Sequence, residues 1–348
     1  MSEQPRIAIA WNGLPFYAAR LIRAGIEQLG KPVTVIGSQP AVPITGMEAA
    51  LGQKIYWLNT AKSCSWSDLQ VPVPEIFFQT GWAYPGFNSL GREVRQHGGK
   101  VVSMVDNCWK NNSRQWLGAV IFRLNYQPWF DAVWVPGRSG FQLCRFFGMS
   151  ENRIYQGMYG ADPDVFTSGS PLSERNKQFL FVGQLIERKG VKLLVEAFQR
   201  FREQFPDWTL KVIGSGPLAS FLDCPGITVQ GFQQPPVVAQ IMRQSRFLIL
   251  PSYEEHWGLV VHEAALSGCG LIVSHKVGAA LDLVVNGNSS VFTSGSSEKL
   301  YTAMMNSALL SLDELRQNHH QSLQVSSRFG PSVWAKNFVQ IILDLTSI

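Results

Sequence analysis

Short apolar runs closed by glycine, proline or asparagine recur along this chain, and between them apolar residues return at helical spacing. In the first half, positions 6–10, 32–36, 54–58, 75–79, 100–105 and 131–135 predict strands, and 16–29 predicts a helix after the turn Trp11-Asn12-Gly13. In the second half strands are expected at 179–182, 208–213, 227–229, 247–250 and 271–273. Val191, Leu194, Val195, Phe198 and Phe201 make a helical stripe behind the first of these, and 258–267 reads as a helix stopped by Gly268. Val333, Trp334, Phe338, Ile341, Ile342 and Leu345 make a further stripe in a terminal helix over 330–345. Strand and helix alternate throughout, which predicts α/β architecture with doubly wound parallel sheets. The Ser, Pro and Gly content of 167–173 reads as a linker.

Composition bounds this picture. The 348 residues, 45% hydrophobic and 16% charged, suffice for two α/β domains with full cores and exclude a disordered chain. No uninterrupted apolar run reaches the roughly 18 residues that a membrane span needs, and the opening MSEQPRIAIAWNG lacks a basic region followed by a long apolar one, so a cytoplasmic, non-spanning protein is expected. The five cysteines, Cys64, Cys108, Cys144, Cys224 and Cys269, are odd in number and far apart, which argues against a disulfide framework or a zinc site. The formal charge of +5 is concentrated in the first half, yet no Lys/Arg block marks a nucleic-acid binder.

The chemistry concentrates between 247 and 274. There a strand runs into the loop opened by Pro251-Ser252, and a helix follows whose first-turn amides are unpaired and suited to an anion. Glu255 in the loop and Glu263 in the helix have seven residues between them and return to nearly the same helical face, so both can address one ligand. The alternative is two glutamates on a solvated face. His256 and His262 read as structural, because the run from His262 lacks the second histidine of a zinc-protease helix. Asp162-Pro163-Asp164 is formally an Asp-x-Asp, but it stands at a domain boundary and is not read as a metal site. Gly214-Ser215-Gly216-Pro217 follows a strand as a dinucleotide fingerprint would. Pro217 and the absence of an acid after the next strand, which ends in Gln230, argue against an oxidoreductase.

Pro251-Ser252, Glu255, Trp257-Gly258, Glu263-Ala264 and Gly268 together resemble the Glu-x7-Glu signature of the retaining glycosyltransferase family 4, among the glycosyl transferases of group 1. That resemblance implies the GT-B fold, two Rossmann-like doubly wound domains facing a central cleft. The expected limits are 1–168 for an acceptor-binding domain, 169–330 for a nucleotide-sugar-binding domain, and 331–348 for a terminal helix returning to the first. The turn Gly183-Gln184-Leu185-Ile186-Glu187-Arg188-Lys189-Gly190 resembles the family's Gly-Arg-Leu-x3-Lys-Gly, so Lys189 is implied to hold the donor diphosphate. Gln184 stands where the family has arginine and supplies hydrogen bonds without charge. Glu255 is implied to contact the transferred sugar and Glu263 the ribose hydroxyls, with the amides near Trp257, Gly258 and Leu259 on phosphate. Gly214 and Gly216 are implied to line the donor site. Gly231-Phe232 resembles the turn that packs on the nucleobase, the alternative for Phe232 being core. The segment 278–285 resembles Gly-Gly-x-x-Glu-x-Val with Ala279 and Asp282 substituted.

In the first half, Gly13 follows the first strand where the family has a glycine-rich turn approaching the diphosphate; a plain strand-to-helix turn is equally consistent. Asp106 stands after the fifth strand where the family usually has a histidine near the reacting sugar. It accepts a hydrogen bond from a sugar hydroxyl, faces the anomeric centre catalytically as positive charge develops, or caps the following turn. Between Cys108 and Phe147, Trp109, Trp116, Phe122, Tyr126, Trp129 and Phe130 interleave with Lys110, Arg114, Arg123, Arg138 and Arg145. Such a mixture suits either a phospholipid headgroup layer or ordinary core.

The resemblance therefore implies a retaining hexosyltransferase, with Glu255, Lys189 and Asp106 as catalytic residues. It would move sugar from a UDP- or GDP-linked donor to a saccharide or lipid-linked acceptor in cell-envelope or exopolysaccharide synthesis, with no cofactor or metal. It would be cytoplasmic, with peripheral attachment to the inner face of the membrane as a further expectation. The alternatives are a non-catalytic nucleotide-sugar or saccharide-binding partner of a glycosyltransferase, or a GT-B nucleotide-sugar epimerase.

Overall fold

The computed structural model describes residues 5–39 and 46–347, and the chain divides into two units, 1–160 with 329–348, and 161–328. Among the described residues the first carries seven parallel strands: β1 Ile7–Trp11, β2 Val33–Gly37, β3 Tyr56–Trp57, β4 Ile76–Thr80, β5 Lys100–Met104, β6 Ala132–Trp134 and β7 Ile154–Tyr155. Their order is β3-β2-β1-β4-β5-β6-β7, so the winding reverses between β1 and β4. β1 is buried along its whole length, as a central strand covered on both faces must be. Its carboxyl end delivers Gly13, and that of β5 delivers Asp106, to the edge where doubly wound sheets bind ligands.

The terminal helix Pro331–Thr346 packs on the helix Phe16–Leu29 within this unit. Gly25 makes the approach possible, since a Cβ there would meet the Trp334 ring at 2.5 Å. Trp334 lies 4.7 Å from Trp134 and 5.1 Å from Phe338, and Phe338 reaches Phe78 at 4.9 Å, so the helix is tied to β4 and β6 through aromatic rings.

The second unit has six parallel strands: β8 Asn176–Val182, β9 Thr209–Ile213, β10 Ile227–Gln230, β11 Ser245–Leu250, β12 Gly270–Ser274 and β13 Ser289–Phe292. Their order, β10-β9-β8-β11-β12-β13, reverses between β8 and β11. Arg175 is a buried cation that holds this unit together. It donates to the carbonyl oxygens of Ser170 at 2.7 Å, Met242 at 3.2 Å, Ser245 at 3.1 Å and Ser267 at 2.7 Å. Met242 and Ser267 lie at the C-terminal ends of the helices Pro235–Gln244 and Leu259–Leu266, where carbonyls lack intrahelical donors.

Two expectations change. The stretch 167–173 is not a free linker: Leu172 is fully buried in the second unit and opens the turn Leu172–Glu174, while the crossing between units lies at Gly160–Ala161. The strand expected over 54–58 shrinks to Tyr56–Trp57 at the sheet edge, where only one neighbour supplies hydrogen bonds.

Candidate active site

In the second unit the loops that leave β8 and β11, the two strands flanking the reversal, come together. Gly190 ends the first loop in the left-handed region, φ 71°, and opens the helix Val191–Gln204. A Cβ there would sit 2.3 Å from the Pro251 carbonyl oxygen, so glycine is needed for the two loops to touch. Tyr253 completes the contact by donating its amide to the Arg188 carbonyl at 2.8 Å. Gly190→Ala is expected to lower stability by at least about 1–2 kcal/mol, read from a denaturation midpoint.

This contact brings Lys189 to Glu255. The Lys189 Nζ pairs with Glu255 Oε2, both side chains largely buried at 12% and 13% exposure, and Arg188 lies 3.5 Å from the same oxygen while donating to the Glu254 carbonyl at 2.7 Å. One carboxylate thus faces two cations. Glu255 is held by its backbone, which accepts from the Gly278 amide at 3.0 Å and donates to the Lys276 carbonyl at 3.1 Å. Gly278 is required here, because a Cβ would fall 1.9 Å from the His256 carbonyl oxygen.

Gly258, at φ 88°, caps the helix Leu259–Leu266 without a side-chain hydrogen bond, and its carbonyl accepts from the Val261 amide at 2.9 Å. The Trp257 side chain is buried at 3% exposure and serves the core, so only its backbone is available to a ligand. Glu263 lies one turn into this helix, and desolvation pushes its carboxyl up to about 7. Beside it His262 is buried: its Nδ1 accepts from the Ala161 amide at 2.9 Å and its Nε2–H donates to the Ser326 carbonyl at 2.9 Å. Burial lowers its pKa to about 4, which keeps the ring neutral and structural.

Gly214 and Gly216 are explained by the backbone they touch. At φ 146° and 157°, added Cβ atoms would lie 1.9 Å from the Gly183 oxygen and 2.5 Å from the Leu185 oxygen, so these glycines seat the loop after β9 on the 183–185 turn. In that turn Leu185 is buried and Gln184 is exposed. Phe232, after β10, is 36% exposed, which removes it from the core and leaves its ring open to a stacking partner.

In the first unit Gly13, at φ 58°, donates its amide to Ser38 Oγ at 2.7 Å, and Ser38 Oγ donates to Asn12 Oδ1 at 3.0 Å. The turn is thereby closed on its own neighbours. Asp106 does not cap the next helix, Ser113–Asn125, whose cap is Asn112, accepting from the Gln115 amide at 3.0 Å. Instead it hydrogen-bonds the buried phenol of Tyr159, which also meets Tyr17. Burial, reinforced by the Asp106 charge, pushes the Tyr159 pKa well above its usual value, so the phenol stays protonated as a donor. Trp11, Tyr17 and Tyr159 pack as a ring cluster with centroids 5.7–6.2 Å apart. Sequence reasoning missed Tyr17 and the Tyr159 contact, because nothing in their spacing links them to Asp106.

Asp162 is buried and its Oδ1 accepts from the Asp164 amide at 3.0 Å, a local turn. Among the described residues no group of three or more His, Cys, Asp or Glu is placed to hold a metal ion.

Residues 166–322, nearly the whole second unit, match the family model of glycosyl transferases group 1. The second unit is thus similar to the glycosyl transferases of group 1. The chain is 25% identical over 169 residues to an uncharacterized glycosyltransferase of Methanocaldococcus jannaschii, which covers 42% of this chain and 43% of the relative. It spans about half the length or less of the curated relatives it matches first. Among solved structures it is similar to a glycosyltransferase from Rickettsia africae, with TM-score 0.75, 12% identity and 99% of each chain covered. The Anabaena protein HepE in complex with UDP-glucose gives TM-score 0.72 at 15% identity, covering 99% of this chain and all of that one. At such identities the shared property is the fold, and the two parallel-sheet units have the GT-B fold. Lys189, Glu255, Gly258 and Glu263 all lie in the segment that the group 1 model matches.

Proposed function

We propose that the protein is a retaining glycosyltransferase that moves a hexose-type sugar from a UDP- or GDP-linked donor to a saccharide or lipid-linked acceptor, in the synthesis of cell-envelope or extracellular polysaccharide. The second unit binds the donor and the first binds the acceptor. The observation that carries this reading is the meeting of Lys189 and Glu255 beside the Gly258 helix start: a cation for the leaving diphosphate, a carboxylate for sugar hydroxyls and a helix N-terminus without a side-chain cap for phosphate. Glu263 accepts from the ribose hydroxyls, and Phe232 stacks on the base. Gln184, Gly214, Gly216, Trp257 and Leu259 line the donor through their amides or backbone. Gly13 approaches it once Ser38 releases its amide, and Asp106, oriented by Tyr159, faces the anomeric centre as positive charge develops there.

The neighbours support a nucleotide-sugar donor, since HepE is described bound to UDP-glucose. Calorimetric titration with UDP, GDP and ADP tests the reading: one nucleotide is expected to bind, and turnover of the corresponding sugar nucleotide is expected to depend on added acceptor. The anomeric coupling constant of the product, read by NMR, is expected to match that of the donor; inversion would reject the retaining assignment. Gln184 favours a second reading, a non-catalytic sugar-nucleotide-binding partner, because it removes one of two expected cations from the diphosphate site. Binding without acceptor-dependent turnover would support it.

A further inference from the structure

The helix Ser113–Asn125 buries Ala119 and Phe122, while Trp116, Leu117, Val120, Ile121 and Leu124 remain exposed at 58, 64, 53, 45 and 74%. At about 100° per residue these five side chains share one stripe, and Arg114 and Arg123 border it on opposite sides. A surface helix ordinarily turns its apolar stripe inward. This one has apolar residues on both faces and its longer stripe outside. Trp129, 41% exposed just beyond the helix, extends the surface with the Arg92 guanidinium 5.7 Å from its ring.

The helix and its flanking residues carry charge of one sign. From 107 to 130 the chain contains Lys110, Arg114 and Arg123 and no Asp or Glu. Arg123 is fixed at the border, donating to the Phe146 carbonyl at 2.7 Å and the Phe147 carbonyl at 3.3 Å. Trp116 is braced against Phe146 at a centroid distance of 4.8 Å. Two copies of this face meeting about a two-fold axis would bring like charges together. A layer of anionic lipid instead offers phosphate to the cations and an apolar interior to the aliphatic side chains. Thirteen residues rise only about 20 Å, short of the roughly 30 Å hydrocarbon core, and among the described residues no helix is long and apolar enough to cross a membrane.

We propose that the helix Ser113–Asn125 is a membrane-docking element that lies flat on an anionic lipid surface. Trp116, Leu117, Val120, Ile121 and Leu124 enter the acyl boundary, and Arg114 meets lipid phosphate. The surface carries no donor-site residue, so the inference stands independently of the proposed sugar transfer.

Sedimentation of the full chain with phosphatidylcholine vesicles, with and without phosphatidylglycerol, tests it. Retention by the anionic vesicles at low salt is expected, falling at high salt, and the double variant Leu117→Glu, Leu124→Glu is expected to lower it about tenfold or more. Because both leucines are exposed, the variant should keep the parent's thermal midpoint, which verifies folding. Arg114→Ala should weaken binding only where phosphatidylglycerol is present. Quenching of tryptophan fluorescence by brominated acyl chains should diminish in Trp116→Phe. The proposal is overturned if anionic vesicles do not retain the protein at low salt, or if the double variant binds like the parent. It is also overturned if the variant's sole effect is to convert a dimer into a monomer, since the stripe would then be covered by a second copy.

Discussion

Lys189→Ala is expected to weaken nucleoside diphosphate binding by about 1.5–3 kcal/mol and to slow sugar transfer by about 10²–10³-fold. The larger effect on turnover follows from where charge develops: the diphosphate becomes more negative as the glycosidic bond breaks, so a largely buried ammonium stabilises the transition state more than the bound donor. With Gln184 neutral, the lysine carries more of this load. Lys192→Ala is the control, because that lysine stands on the same helix start yet is exposed and paired with Glu187. Calorimetry and initial rates on both variants give the comparison. Equal losses from the two, or unchanged turnover in Lys189→Ala, would remove Lys189 from the donor site. Glu255→Gln separates the partners further, since it frees the ammonium while leaving an amide that still bonds to sugar hydroxyls.

Glu263→Gln is expected to act oppositely on stability and on binding. Burial raises the Glu263 carboxyl from its ordinary 4.5 to about 7, so the folded protein holds a proton there that the unfolded chain releases. Stability from that proton is fully present below about pH 4.5 and is lost as pH rises through 7. At pH 8 the ionised carboxylate therefore costs up to about 3 kcal/mol, which glutamine removes. Urea midpoints at pH 5 and pH 8 should diverge for the parent and converge for the variant. Nucleotide affinity should run the other way. Ribose hydroxyls donate to an ionised acceptor, so binding by the parent should strengthen from pH 6 to pH 8, while Glu263→Gln should bind more weakly and with a flatter pH profile. An affinity indifferent to the substitution would end the ribose assignment, and parallel urea midpoints would show that the carboxyl titrates normally.

Much of the proposed donor site was legible because its residues are neighbours in sequence or belong to short runs with fixed local geometry. Gly190 and Gly258 stand where the chain turns into a helix with positive φ, and Lys189 and Glu255 flank those turns. The roles of Gly214, Gly216 and Gly278 were less visible: each glycine answers a backbone oxygen from another loop, and sequence records the glycine without the oxygen. Phe232 could be read either as core or as a stacking surface until its exposure was known. The stretch 167–173 looked like a linker from its Ser, Gly and Pro content, yet Leu172 and the nearby Arg175 anchor it.

By itself the amino-acid sequence determined the repeating strand and helix pattern, the apolar stripe of the terminal helix, and the spacing of Glu255 and Glu263. These are properties of local spacing, set by periods of two and 3.6 residues and by the few residues that tolerate tight turns. Tertiary structure alone decided which loops meet, that Asp106 bonds to Tyr159, and that the aromatic and basic stretch after Cys108 divides into a buried core face and an exposed stripe. The physical reason is that burial and pairing depend on what the rest of the chain brings alongside. A tryptophan at 116 and a phenylalanine at 122 read alike in sequence, and only the packed neighbours make one surface and the other core.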